Sequence, residues 1–186
     1  MLTGFGGLVF FYGLMGRAQP ARALGGVLPE LESPAPDFAL EGVVPGDDGQ
    51  AQPARRSLAD FAGRWLVLYF YPRDFTSGCT LEARGFQRDH AAFLARGAEV
   101  VGISADDPEE HAAFCGEEGL TFPLLSDPGG QVSRRYGSWI APYSQRHTFL
   151  IDPQGQLRSR WVAVQPLRHS QEVLATLEQL QAVAAA

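Results

Sequence analysis

Apolar and polar positions along this chain follow two different periods, and the change from one to the other marks its elements. The most apolar run, Trp65-Leu66-Val67-Leu68-Tyr69-Phe70-Tyr71, is aromatic and branched throughout and stops at Pro72, which predicts a strand covered on both faces. Beyond Arg73–Gly78 the spacing becomes helical. Ala83, Phe86, Phe93 and Leu94 fall near one face, predicting a helix from Thr76 or Ser77 to about Arg96, with Gly97 as its stop. Next come a strand at Glu99–Ser104, a helix from Pro108 closing before Gly119, an apolar segment Phe122–Leu125 and a short helix Gly130–Tyr136. His147–Ile151 and Leu157–Val164 form a hairpin turning at Asp152-Pro153-Gln154-Gly155, and Ser170–Ala182 is a final amphipathic helix. Upstream, Asp37–Leu40 reads as a short strand and Gly42–Ser57, rich in Gly, Pro and Asp, as a loop. Strands alternating with helices and ending in an antiparallel hairpin predict an α/β layered domain with a mixed central sheet.

Cys79 sits where the apolar strand gives way to the first helix. The unpaired N–H groups of a first helical turn and the positive end of its dipole favour thiolate over thiol. An ordinary thiol of pKa about 8.5 is only about 3% ionised at pH 7. Lowering that value to about 6 would make the thiolate dominant, within reach of a helix N-terminus plus one or two cationic hydrogen bonds.

The 186 residues fit one domain, 25–186, preceded by an extension, 1–24. A net charge of -6 argues against nucleic acid or an anionic membrane as partner. All fifteen basic residues are Arg, which excludes Schiff-base and lysine-nucleophile chemistry. The second cysteine is Cys115, so there is neither a disulfide scaffold nor clustered zinc-ligand spacing. His90, His111, His147 and His169 are scattered and receive no role, and neither a metal nor a cofactor is implied. Trp65 and Trp161 read as strand residues; Trp139 is either plain packing or part of a site entrance. Gly4–Gly16 is apolar and uncharged and is followed by the small-residue site Ala21-Arg22-Ala23, as in a secretion signal cleaved after Ala23, although basic residues before the apolar run are missing. The first 23 residues favour export or membrane association over a cytoplasmic location.

The string Phe70-Tyr71-Pro72-Arg73-Asp74-Phe75-Thr76-Ser77-Gly78-Cys79-Thr80-Leu81-Glu82 resembles the active-site signature of the peroxiredoxins, in particular the peroxiredoxin Q branch, also called bacterioferritin comigratory protein. Val100–Ser104, Gly119–Pro128 and Arg146–Asp152 continue the likeness, which runs from about Pro34 to about Leu180. The resemblance implies a thioredoxin-like fold in its peroxiredoxin elaboration. It also implies a peroxidase in which Cys79 attacks hydrogen peroxide or an organic hydroperoxide and becomes a sulfenic acid. By the same resemblance Thr76 holds peroxide and thiolate, the N–H groups of Gly78 and Cys79 face the pocket, and Pro72 shields it. Arg146 binds sulfur and peroxide oxygen, and Glu82 orients Arg146. Many members of the branch place a resolving cysteine five residues after the nucleophile, where this chain has Arg84. Cys115 then forms the disulfide with Cys79 that thioredoxin or a similar dithiol reduces, or else it is a packed core cysteine and an external thiol resolves Cys79. The branch implies a monomer.

Two other functions compete. A thiol-disulfide oxidoreductase of the same fold would need Cys-x-x-Cys, and Thr76 stands where the first cysteine would be. A peroxide-responsive sensor would use the same chemistry to unfold the Cys115 helix, and differs from an enzyme only in lacking turnover sustained by a reductant.

Overall fold

The computed structural model describes residues 20–46 and 48–184. The apolar stretch Gly4–Gly16 therefore lies outside the described residues. Among those described, no helix is long and apolar enough to cross a membrane.

The chain runs β1 (Arg22–Ala23), β2 (Gly26–Val27), β3 (Ala39–Pro45), β4 (Ala51–Ser57), β5 (Trp65–Phe70), α1 (Ser77–Ala95), β6 (Ala98–Ser104), α2 (Pro108–Glu118), β7 (Leu124–Ser126), α3 (Gln131–Arg135), β8 (Trp139–Ile140), β9 (Tyr143–Ser144), β10 (His147–Ile151), β11 (Leu157–Trp161) and α4 (His169–Ala184). Seven strands form one mixed sheet in the order β11-β10-β5-β6-β7-β3-β4. The inner strands β5, β6 and β7 are parallel, joined through α1 and α2, and every other pairing is antiparallel. All six residues of β5 and all five of β10 are buried, as expected of strands with both sheet faces covered. One apolar layer joins α1, α2 and α4 to the sheet through Phe86, Phe93, Phe114, Val173 and Leu177. The other face is covered by Phe38, Phe61, Val132 and Tyr136.

Three expectations need correction. Gly42–Ser57 is not a loop. Its residues pair through the β3–β4 hairpin, from Ala39 opposite Ser57 to Pro45 opposite Ala51, at the edge of the sheet, where Pro53 and the polar Gln52, Arg55, Arg56 and Ser57 are tolerated because no further strand needs their hydrogen bonds. Leu94 is 48% exposed, and the buried stripe of α1 runs instead through Cys79, Ala83, Phe86, His90 and Phe93. The last predicted strand stops at Trp161, short of Val164. The β1–β2 hairpin straddles the junction of Ala23 and Leu24, with Ala21 and Ala23 packed on the second core layer.

Candidate active site

The end of β5 delivers Tyr71 and Pro72 into a short loop that turns into α1. Phe75 in that loop has a φ of 58°, a left-handed conformation that costs a non-glycine residue about 1–3 kcal/mol. Thr76 is the N-cap residue of α1, but its hydroxyl donates to the Arg73 carbonyl oxygen at 3.1 Å instead of accepting from the helix. With no acidic side chain in the first turn, the positive end of the helix is left uncancelled. Cys79, in that turn, is buried at 1% exposure.

Arg146 immediately precedes β10, and β10 pairs with β5 so that His147 lies opposite Phe70. This register carries the guanidinium to the open end of β5. The Arg146 Nη2 donates to the Cys79 sulfur at 3.4 Å, and its Nη1 donates to Glu82 Oε2 at 2.5 Å. Burial opposes the charge on Arg146, but Glu82 and Cys79 outweigh it and hold the guanidinium protonated. Glu82 is itself 1% exposed, and its Oε1 has no partner among the described residues. Burial pushes its carboxyl up to about 7 against the pull of Arg146. Cys79 and Glu82 lie three residues apart on α1, which puts both on the face that meets Arg146.

Of the residues singled out in the sequence, Cys79, Arg146 and Glu82 are thus joined directly. Pro72 flanks Arg146 in an apolar cleft of ≈410 Å³ that also includes Leu24, Val162 and Val164. Thr76 lies on the exposed rim with Arg73, Phe75 and Glu110, and it is Arg146 that hydrogen-bonds the sulfur. Trp139 stacks on Gly130 with Arg134 over its ring, a packing role. A separate cleft bounded by Leu58, Phe61, Leu66 and Pro153 holds none of the predicted site residues.

Two features escaped the sequence reading. Gly78 lets Arg146 come close: a Cβ there would lie 3.1 Å from Arg146 Nη2, and the guanidinium would have to give by a few tenths of an ångström. His111, given no role, is fully buried and bonded through Nδ1 to Asp74 Oδ2 at 2.7 Å. Asp74, His111 and Asp106 approach within 4.8 Å of one another, but their oxygens are taken by Tyr71, Ser104, His111 and the Asp74 N–H. The spacing of His111 to Cys115, one helical turn, was the available signal.

Cys115 lies in α2, at 6% exposure, within the same core cluster as Cys79. Burial, and next the charge of Asp74, push its thiol up to about 12. Both cysteines are unbonded. From α1, Arg84 reaches across to Glu118 at the end of α2 at 2.5 Å.

Residues 31–160 match the family model described as the AhpC/TSA family. The chain is a peroxiredoxin of that family. It is 35% identical over 159 residues to Peroxiredoxin Bcp of Bacillus subtilis, covering 81% of this chain and 96% of that one. It is 39% identical over 128 residues to the chloroplastic Peroxiredoxin Q of Populus jackii, covering 67% of this chain and 60% of that one. Among solved structures, Xanthomonas campestris Peroxiredoxin Q is 32% identical with a TM-score of 0.68, covering 75% of this chain and 89% of that one. AhpC of Enterococcus faecalis is 27% identical with a TM-score of 0.75, over 83% and 94%. The peroxiredoxin fold is thioredoxin-like, as expected from the signature around Cys79. Two further structures of the Xanthomonas protein are single cysteine-to-serine mutants, and the two cysteines are as far apart in that chain as Cys79 and Cys115 are here.

Proposed function

We propose that this peroxiredoxin turns over peroxide through a two-cysteine cycle in which Cys79 is oxidised and Cys115 resolves it. The observation that carries the reading is the Arg146 guanidinium, held by Glu82 and donating to the Cys79 sulfur in the first turn of α1. Sulfur attacks one peroxide oxygen, the O–O bond breaks, and the other oxygen leaves as hydroxide or alkoxide. Arg146 stabilises the thiolate before the step and the oxygen that gains charge during it, and the first-turn N–H groups add to the same field. Thr76, at the rim, orients the incoming peroxide, Pro72 keeps water off the sulfur, and Glu82 keeps Arg146 aimed. The cleft beside Pro72 and Arg146 suits the hydrocarbon part of an organic hydroperoxide. A study of the Xanthomonas relative names alkyl peroxide reduction as that protein's activity.

Cys115 then attacks the sulfenic acid, a step made intramolecular by its place in the same core. The matching cysteine spacing in the Xanthomonas chain supports this assignment. A thioredoxin-like dithiol reduces the disulfide, the chain acts as a monomer, and residues 1–23 direct it out of the cytoplasm or to a membrane. Non-reducing mass spectrometry of the wild type and Cys115→Ser after one equivalent of hydrogen peroxide tests the cycle, with thioredoxin-coupled turnover in parallel. The expected result is a Cys79–Cys115 linkage in the wild type, and in the mutant a trapped sulfenic acid with turnover lost. Unchanged turnover in Cys115→Ser would make Cys115 a packing residue, and no peroxide consumption by either protein would sink the peroxidase reading.

A further inference from the structure

The peroxide step leaves the buried Asp74–His111 pair unused, and it is built more tightly than packing requires. Asp74 belongs to the loop between β5 and α1. Its Oδ1 accepts from the Tyr71 hydroxyl at 2.8 Å, its Oδ2 faces His111 Nδ1 at 2.7 Å, and its main-chain N–H donates to Asp106 Oδ2 at 2.9 Å. Asp106 is fixed in turn by the Ser104 hydroxyl at 2.6 Å. A carboxylate can only accept, so the shared proton sits on Nδ1, and whenever the ring is neutral its Nε2 is the lone-pair acceptor. That Nε2 is buried and has no partner among the described residues. A buried acceptor without a donor is costly, about 1–3 kcal/mol, unless its donor arrives in another state of the protein.

Cys115 is the thiol on this helix that can supply one. It lies one helical turn after His111, on the same buried face of α2, and helical side chains lean back towards the preceding turn. The thiol also needs a base. With its proton held up to about 12, only about one molecule in 10⁵ carries a Cys115 thiolate at pH 7. The start of α2 is held by the Asp107 cap to the Glu110 N–H at 2.9 Å and by Asp74 on His111, whereas its end carries Gly116 and stops at Gly119, a left-handed glycine. The last turn can loosen and carry Cys115 towards Cys79 while the base stays in place.

We infer that Asp74 and His111 form the base of the resolving step, His111 Nε2 taking the Cys115 proton as its sulfur attacks the sulfenic acid of Cys79; this rests on Cys115 being the resolving thiol. The new bond is S–S and the bond broken is the S–O of the sulfenic acid. The Cys115 sulfur is oxidised and the Cys79 sulfur reduced. Hydroxide leaves and becomes water with the proton that His111 has accepted, so no outside oxidant or reductant enters. A base oriented by a carboxylate behind it is the arrangement that activates nucleophilic thiols and hydroxyls in general.

The titratable and charged groups around the His111 ring are Tyr71, Asp74 and Asp106, with Arg73 and Glu110 at the rim and Cys115 on its own helix. Quenched-flow mass spectrometry of the full chain with one equivalent of hydrogen peroxide, from pH 6 to 10, separates oxidation of Cys79 from disulfide formation. In His111→Gln, Cys79 oxidation is expected to change by less than about twofold. Disulfide formation at pH 7 is expected to fall at least about tenfold, since general-base catalysis is worth about 10²–10⁴. Its logarithm should then climb more steeply with pH than in the wild type, as hydroxide takes over from the lost base. Asp74→Asn gives the same profile with a smaller loss, and decides the matter if circular dichroism shows His111→Gln unfolded. Disulfide formation at the wild-type rate in both variants, or slowing with the wild-type pH profile, overturns the inference and leaves the pair a structural tie. A wild type that oxidises Cys79 but forms no disulfide overturns it too, by removing Cys115 from the cycle, while the peroxidase reading stands.

Discussion

Cys79 and Cys115 are both buried helical cysteines of one core cluster, and they face charges of opposite sign. Cys79 occupies the first turn of α1, beneath uncapped N–H groups and 3.4 Å from a guanidinium. Cys115 lies three residues before the end of α2, where the helix presents carbonyl groups, and its nearest influential charge is the Asp74 carboxylate. Each half of that difference follows from which end of a helix the sulfur is near and which sign of charge the neighbouring loop delivers. Burial alone makes a thiol inert; burial against a positive field is what the proposed nucleophile has and Cys115 lacks.

Removing the positive charge from the Cys79 side is the largest test of the contrast. Arg146→Ala is expected to lower the second-order rate of Cys79 oxidation by about 10²–10³, the range for losing a donor to developing negative charge, measured by stopped-flow with hydrogen peroxide. A loss below about threefold would mean the helix terminus suffices.

Glu82 gives an effect of intermediate size. A carboxyl raised from 4.5 to about 7 holds its proton more tightly in the folded than in the unfolded chain. It therefore stabilises the fold fully below about pH 4.5, and that contribution is lost as pH rises through 7. Glu82→Gln should flatten the dependence of urea unfolding on pH between 5 and 8, by on the order of 1–3 kcal/mol. An unchanged profile would show that Arg146 keeps Glu82 ionised throughout.

The smallest effect concerns the Cys115 side. Arg84 is well exposed, so water screens its bridge to Glu118 and leaves it a weak restraint. Arg84→Ala should speed disulfide formation by less than about threefold by freeing the end of α2, and leave Cys79 oxidation unchanged. A larger acceleration would make that bridge the main restraint on Cys115.

Much of this was legible beforehand. The Trp65–Tyr71 run, the helical spacing after it and the signature from Phe70 to Glu82 place a cysteine at a strand-to-helix junction without any tertiary information, because burial of β5 on both faces demands a continuous apolar run. The β3–β4 hairpin was not legible, because an edge strand needs only one partner and can carry Pro, Arg and Gln where an inner strand cannot. His111 was missed for a related reason. A histidine on a helix face looks the same whether it meets apolar side chains or a carboxylate from a loop 37 residues away.

The sequence by itself determined the local fields: which sulfur would stand at a helix N-terminus, that no lysine would take part, and that Arg146 precedes a strand. Tertiary structure alone decided which charges those sulfurs would meet. The antiparallel register of β10 on β5 swings Arg146 over Cys79, and the packing of α2 against the active-site loop brings Asp74 to His111 beside Cys115. Local propensity acts over a turn or a strand, whereas the field at a buried sulfur depends on groups 41 and 67 residues away, and only folding brings those close.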